Sequence, residues 1–520
     1  VDPYERKSGS PARGKSNDPR EPGHRDRDRI FYSREFARLE GVTQVATVMS
    51  TSLHNRLTHS YKVEQVARTI AVKFKADGLD VDIDVVMAAA LAHDIGHAPF
   101  GHTGEVALQE LLVCEKHRGK EHVSTYKERQ STIKGRRKFP CDTGGCILPD
   151  GFEGNAQSFR IMARLAAKNG VKEGEAFGLD LTRRTLLAAS KYPWARGDND
   201  DENKLHKWGA YDNDLQALQW AMEGAPLLER SLEAQIMDAA DDIAYAVHDL
   251  EDFYKANLIP VGTLNLEGRG LSELMDYIRG EEEEIRSPNL KKLVEEFDQY
   301  QLAVGVPENA AEAVIDDGGD APSPSPRVEK FPTLEFVLKG IETSLPSRPF
   351  VDDANGRAEL ARWRSGLITQ FVSDLSVVDN KVKFGVEHLE TFMEFLQQLT
   401  WHFVIENPQL AVVRIGQKSV VTKCFTALFA MVSGVWLTPD SDKEESEFKE
   451  ASAHSKRSVP SLLTTYVALG RVQSDHYSPR EVLARAVADY LCSLTDREVY
   501  ELAAQLGGSS AHAVPSAFVK

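Results

Sequence analysis

Residues Asp84–Glu105 read DVVMAAALAHDIGHAPFGHTGE. The run VVMAAALA has no polar face, which marks a helix buried on all sides, and it leads directly into the pair His93-Asp94. A His-Asp pair at the end of a buried helix must be satisfied by something, and a metal ion would do that. The Gly- and Pro-containing turn that follows carries His97, His102 and Glu105. His102 and Glu105 lie three apart, so on a helical turn the carboxylate can orient the imidazole. Upstream, HNRLTHSYKVEQVARTIA sets His59 at the start of a helix whose apolar positions include Val63, Val66 and Ile70. Downstream, EAQIMDAADDIAYAVHDLED places an apolar stripe of Ile236, Ala240, Ile243, Val247 and Leu250 opposite Asp238, Asp241, Tyr245 and Asp249. Taken singly, His59 reads as an ordinary helix-start histidine and Asp241 as part of a solvated face. Taken together, two imidazoles and two carboxylates from three helices make a mixed nitrogen and oxygen site. Such a set suits Mn, Fe, Co, Ni or Zn better than Mg, which prefers oxygen, and it leaves positions open for water and a phosphate oxygen.

The surrounding chain sets bounds on this reading. With 42% hydrophobic and 27% charged residues it has the composition of a folded globular protein and not of a disordered or fibrous one. The longest apolar stretches, Val85–Ala92 and Cys424–Leu437, fall short of the ~18 to 20 residues of a membrane span, so no membrane passage is expected. Residues 1–24 are polar, lack an apolar signal core, and read as a disordered tail. Five cysteines are too few, and odd in number, for a disulfide framework, which fits a reducing cytoplasm. A net charge of −17 repels polyanions, so an anionic substrate needs a local cluster of cations or a metal.

Helical periodicity predicts an all-α core over residues 25–258, interrupted by a basic insertion at 116–149. Residues 259–330 read as a connector with a Pro- and Ser-rich linker, and 331–520 as a C-terminal helical region forming a second lobe or packing back on the first. Lys116, Arg118, Lys120, Lys127, Arg129, Lys134, Arg136, Arg137 and Lys138 make the insertion a possible site for single-stranded nucleic acid, although a solvated loop is the favoured reading. The insertion also holds the residue types of a structural zinc site: Cys141-x4-Cys146 with Cys114, His117 or His122, at a loose spacing.

Several longer strings carry a resemblance. They are RDRDRIFYSREFARLEGVTQV, HNRLTHS, HDIGHAPFGHTGE, FEGNAQSFRI, KYPW and ADDIAYAVHDLED in order, with DYLCSLTDR near the C-terminus. The chain resembles the HD-domain dGTPase, or dNTP triphosphohydrolase, family. The resemblance implies an HD-domain helical core with additional C-terminal helices, and a divalent metal, Mn²⁺ or Mg²⁺ with Co, Ni, Fe or Zn possible, held by His59, His93, Asp94 and Asp241. The Tyr four residues on and the Asp eight residues on select Asp241 over Asp242. By the same resemblance Gln44, Tyr245 and Asp249 contact the sugar, Arg56 the phosphate, Lys191 and His97 support phosphate binding, and His102 with Glu105 transfers a proton, as acid or as base. The implied reaction splits dNTPs, dGTP foremost, into deoxynucleoside and triphosphate. The implied assembly is a homo-oligomer, a hexamer or tetramer. One departure stands out: some members carry His where this chain has Gly154, while others share the Gly. The rival readings are another HD nucleotide phosphohydrolase, and a nucleic-acid-binding or regulatory protein that keeps an HD site.

Overall fold

A computed structural model describes residues 1–14, 17–45, 54–118, 131–133, 136–138, 145–166, 168, 176–198, 207–226, 228–280, 287–304, 328–346, 348–438, 447–472 and 477–508. The described residues are predominantly α-helical, with strands confined to two antiparallel hairpins, so the all-α reading is borne out. Two compact units emerge, one of residues 1–47, 53–241 and 411–520, the other of 48–52 and 242–410. The divisions fall at Asp241/Asp242 and Leu410/Ala411, not at the expected 258 and 330, and the last hundred residues belong with the first unit.

In the first unit, helix α1 (Pro22–Phe31) and helix α2 (Arg56–Ala76) both pack against helix α3 (Ile83–Ala92). Each start is fixed locally. The Asn55 side chain accepts the Thr58 N–H while the Thr58 hydroxyl returns a bond to the Asn55 backbone, and Asp82 caps α3 through the N–H groups of Asp84 and Val85. From Val85 to Ala92 every residue but Met87 is buried, as the apolar run predicted. The chain leaves α3 through Phe100 (φ 65°) and Gly101 (φ 55°) before helix α4 (His102–Leu112). Helix α5 (Gly154–Arg160) comes so close that a Cβ on Gly96 would lie 2.0 Å from the Ser158 nitrogen, an approach only glycine permits. Ser158 Oγ then accepts the Gly96 N–H at 3.0 Å and donates to the His93 carbonyl at 2.9 Å. Helix α6 (Leu232–Ala244) carries the chain to the end of this segment at Asp241 and on into the second unit.

The string DYLCSLTDR belongs to this unit and is bonded to its earlier segments. Asp489 accepts from Gln157 and Arg160, both on α5, and Arg160 also pairs with Asp214. Asp496 accepts the Phe100 N–H at 2.7 Å and the Thr43 hydroxyl at 2.6 Å, and Tyr500 packs edge-on against Phe100.

The second unit contains the helices Arg269–Gly280, Pro288–Val304, Pro332–Ser344, Ala354–Asp374 and Glu387–Thr400. Glu387–Thr400 packs against Pro288–Val304 and Pro332–Ser344, burying Phe392, Phe395, Leu396 and Leu399. A hairpin of β3 (Leu375–Val378) and β4 (Lys381–Phe384) turns through Asp379 and Asn380, both left-handed, the two-residue turn that matches strand twist.

Two expectations are corrected. Residues 1–14 and 17–24 are placed: the Arg6 side chain is fully buried, 2.7 Å from Asp26, and the Tyr4 hydroxyl donates to Asp82. Polar composition suggested a free tail, but the buried pair with Asp26 and the bond to Asp82 tie it down. Leu410–Trp436, 27 residues containing an 18-residue window of mean hydropathy 1.4 of which a third is buried, is long and apolar enough by length and composition to cross a membrane. Counting uninterrupted runs missed it because Lys418 and Lys423 break the stretch. Its Val421, Cys424, Phe425, Leu428, Val432 and Trp436 recur at helical spacing and are buried, as on the inward face of a core helix. The basic insertion shows hairpin β1 (Ser131–Ile133) and β2 (Arg136–Lys138); Lys120, His122, Lys127, Arg129, Lys134 and Cys141 lie outside the described residues, as does most of the Pro- and Ser-rich linker.

Candidate metal centre

Three helices of the first unit deliver the central groups. His59 comes from the first turn of α2, His93 from the end of α3, and Asp241 from the last turn of α6. One ligand atom from each lies within 4.8 Å of the others. His59 Nε2 is 3.1 Å from Asp241 Oδ1, and His93 Nε2 is 3.5 Å from the same oxygen. His93 Nδ1 donates to the Ala90 carbonyl at 2.7 Å, which turns Nε2 inward as a lone-pair donor. Asp94 Oδ2 stands 3.5 Å from that Nε2. The buried Nε2 of His93 therefore faces two carboxylate oxygens at a spacing longer than a good N–H···O bond, the arrangement of ligands around an ion. The donor set fits a divalent metal of the transition series.

Cations and a second pair of titratable groups surround this cluster. Arg56 Nη1 donates to Asp94 Oδ2 at 2.6 Å, and Arg56 Nη2 reaches the Gln44 carbonyl at 3.4 Å. Lys191 Nζ lies 3.2 Å from Asp241 Oδ2 and 2.7 Å from Asp238, which Arg230 also pairs with. His97 bridges Asp94 (3.1 Å) and Glu105 (3.5 Å). His102 Nδ1 is 3.5 Å from Glu105 Oε2, with its side chain 70% exposed, so it stands at the open side of the cluster.

The electrostatics follow from these neighbours. Burial alone would raise the carboxyl of Asp94, but His93, His97 and Arg56 reverse it and hold the group well below the usual range. Asp241 is treated likewise: burial opposes ionisation, and Lys191, His93 and His59 overcome it. His97 is pushed down to about 4 by burial and by Arg56, so it is neutral near pH 7. Glu105 is held at about 2, with burial outweighed by His97 and a hydrogen bond from His102.

The structure thus brings together His59, His93, Asp94 and Asp241 with Arg56, His97, Lys191, His102, Glu105 and the backbone of Gln44. Tyr245 and Asp249 belong to the second unit, on a π-helical segment, Tyr245–Asp249. That wider helix departs from the α geometry on which the one-face reading of Asp241, Tyr245 and Asp249 rested. Gly154 has a positive reason to lack a side chain: a Cβ there would lie 2.1 Å from Glu105 Oε1 and 3.2 Å from His97. Sequence reading missed Arg38, which is buried and donates to the carbonyls of Ile95, His97 and Leu494, and it missed Arg230. No local spacing signals either one.

The description of the HD domain matches residues 56–139. The chain carries an HD domain. It is also similar to proteins named deoxyguanosinetriphosphate triphosphohydrolase-like: one from Corynebacterium glutamicum is 41% identical over 249 residues, 48% of this chain and 49% of the relative. One from Streptomyces coelicolor is 41% identical over 234 residues (44% and 46%), and one from Shewanella pealeana 36% identical over 279 (45% and 54%). The chain spans about half the length of these relatives. The HD-domain, dGTPase-like resemblance read from the sequence is borne out, and the matched span 56–139 includes His59, His93 and Asp94.

Proposed function

We propose that this HD domain hydrolyses deoxynucleoside triphosphates, dGTP foremost, to deoxynucleoside and intact triphosphate. The observation that carries the reading is the clustering of His59, His93 and Asp241, with Asp94 beside them, against the cations Arg56 and Lys191, a set that could hold a metal ion next to a phosphate. His59, His93, Asp94 and Asp241 would hold a divalent ion, which when bound would supply Lewis acidity at the phosphate and acidify water. Manganese or magnesium is the proposed ion.

The chain's own groups divide the remaining work. Arg56, whose fork matches phosphate oxygens, and Lys191 offset the triphosphate's charge in a protein of net charge −17. His97, neutral, offers a hydrogen bond to phosphate without adding charge. Glu105, ionised, orients His102. One water is consumed: its oxygen bonds to the α-phosphorus, the bond from phosphorus to the 5′ oxygen breaks, and that oxygen leaves with a proton. His102 takes the proton from water or gives one to the 5′ oxygen. Gln44, Tyr245 and Asp249 are proposed to contact the sugar. A homo-oligomer, tetramer or hexamer, in a reducing cytoplasm completes the reading, supported by the low cysteine content.

Incubating the protein with each dNTP and with Mn²⁺ or Mg²⁺, then resolving nucleoside, monophosphate, pyrophosphate, triphosphate and orthophosphate, tests it. Nucleoside and triphosphate in equal amounts support the reading. Monophosphate with pyrophosphate, or orthophosphate alone, points to the other HD phosphohydrolase chemistry.

A further inference from the structure

We propose that Cys114, His117 and Cys146 bind a zinc ion that closes the base of the basic insertion, as a second metal site separate from the His59, His93 and Asp241 centre. The three residues approach from two sides of the insertion. Cys114 follows helix α4 and precedes a short helix, Glu115–Arg118, that carries His117; Cys146 lies where the chain returns. Cys114 Sγ is 3.0 Å from His117 Nδ1, Cys146 Sγ is 3.4 Å from Cys114 Sγ, and Cys146 Sγ is 3.5 Å from His117 Nδ1. A tetrahedral zinc with sulfur at ~2.3 Å and nitrogen at ~2.0 Å sets its ligands roughly 3.5 to 3.8 Å apart. The observed triangle is close to one face of that tetrahedron and slightly contracted.

Both the donor chemistry and the frame suit zinc. Two thiolates and an imidazole select a soft or borderline ion over calcium or magnesium. The Cys114 N–H points at Cys146 Sγ at 3.4 Å, a contact that stabilises thiolate charge. Both strands of the neck are held in place before any ion binds. The N–H groups of Ile147 and Leu148 both bond to the Leu112 carbonyl, and Arg196 donates to the carbonyls of His117 (2.9 Å) and Pro149 (2.7 Å), bridging the outgoing and returning chain. Beyond them, Arg485 donates to Asp150 and to the Gly151 carbonyl. His117 is buried and the two cysteines half-buried, so an ion there would be shielded without being sealed. Its role is structural: binding free energy at preassembled ligands becomes stability of the neck, and the cross-link restrains the segment between Cys114 and Cys146.

The test uses the full chain, purified under reducing conditions and loaded with cobalt. Thiolate-to-cobalt charge-transfer absorption in the near ultraviolet is expected. His59, His93, Asp94 and Asp241 contain no sulfur and cannot give it. The band should persist in Asp241→Asn and vanish in Cys114→Ser and in Cys146→Ser, and zinc content should fall by one ion per chain in those two. Because the serine variants can misfold, alkylation of wild-type protein is mapped as well: zinc should protect Cys114 and Cys146 together, and a chelator should expose both. Cobalt-loaded wild type without the band overturns the proposal, as do equal alkylation with and without zinc, or a Cys114–Cys146 disulfide in the reduced preparation.

Discussion

Asp241 and Asp242 are adjacent carboxylates with different surroundings. Asp241 faces two imidazoles and Lys191, whereas the Asp242 backbone carbonyl accepts a hydrogen bond from Gln397. Asp241→Asn is expected to abolish metal binding at the HD centre and turnover with it, and Asp242→Asn to leave metal content near wild type, as read by elemental analysis of dialysed protein. The family resemblance, through Tyr245 and Asp249, pointed to Asp241, and it is Asp241 Oδ1 that lies beside both imidazoles. Gly154 was only half legible. The sequence shows an absent side chain, whereas the structure shows that Glu105 occupies its place, so Gly154→Ala should lower turnover and cost ~1 to 3 kcal/mol of stability through overpacking, measured by steady-state kinetics and denaturant unfolding. His102→Ala should lower turnover by ~10² to 10⁴ while metal content stays unchanged, since Glu105 and not the metal set is its partner. Loss of metal in that variant would make His102 a ligand.

At the level of elements, the helices bearing the ligands were legible because apolar periodicity and caps are local signals. What holds them in register was not. Asp496 meets Thr43 and Phe100 from more than 390 residues away, and Asp489 meets Arg160 across 329. Such pairings have no spacing to read, although the string DYLCSLTDR contains both acids. Asp214, buried between Arg160 and Arg164, makes this network testable by pH. Burial would raise its carboxyl, but the two guanidiniums hold it below the ordinary value. Its folded pKa lies below the unfolded one of ~3.9, so its contribution is complete above about pH 4 and is lost as pH falls through the folded value. Asp214→Asn should therefore destabilise the protein near pH 7 by ~3 to 5 kcal/mol, as breaking a buried pair does, and the gap to wild type should narrow below about pH 4. A gap independent of pH, followed by urea midpoints, would contradict this.

For the molecule as a whole, helical class was legible and the division into units was not. The return of residues 411–508 to the first unit depends on contacts far apart in sequence, whereas the expected division near residue 330 followed a shift in composition. Val412 and Ile415 stand 72% and 71% exposed on the Pro408–Trp436 helix, apolar surface of the kind that assembly covers. A dimer-based assembly is expected by light scattering at micromolar concentration, and a monomer would contradict it. The central claim is that the HD centre directs water to the α-phosphorus of a dNTP. Turnover of dGTP in heavy-oxygen water, with products weighed by mass spectrometry, tests it most directly. The account predicts label in the released triphosphate, unlabelled deoxyguanosine in equal amount, and no product from Asp241→Asn. Label in the nucleoside hydroxyl or in orthophosphate, or turnover that survives Asp241→Asn, would contradict it.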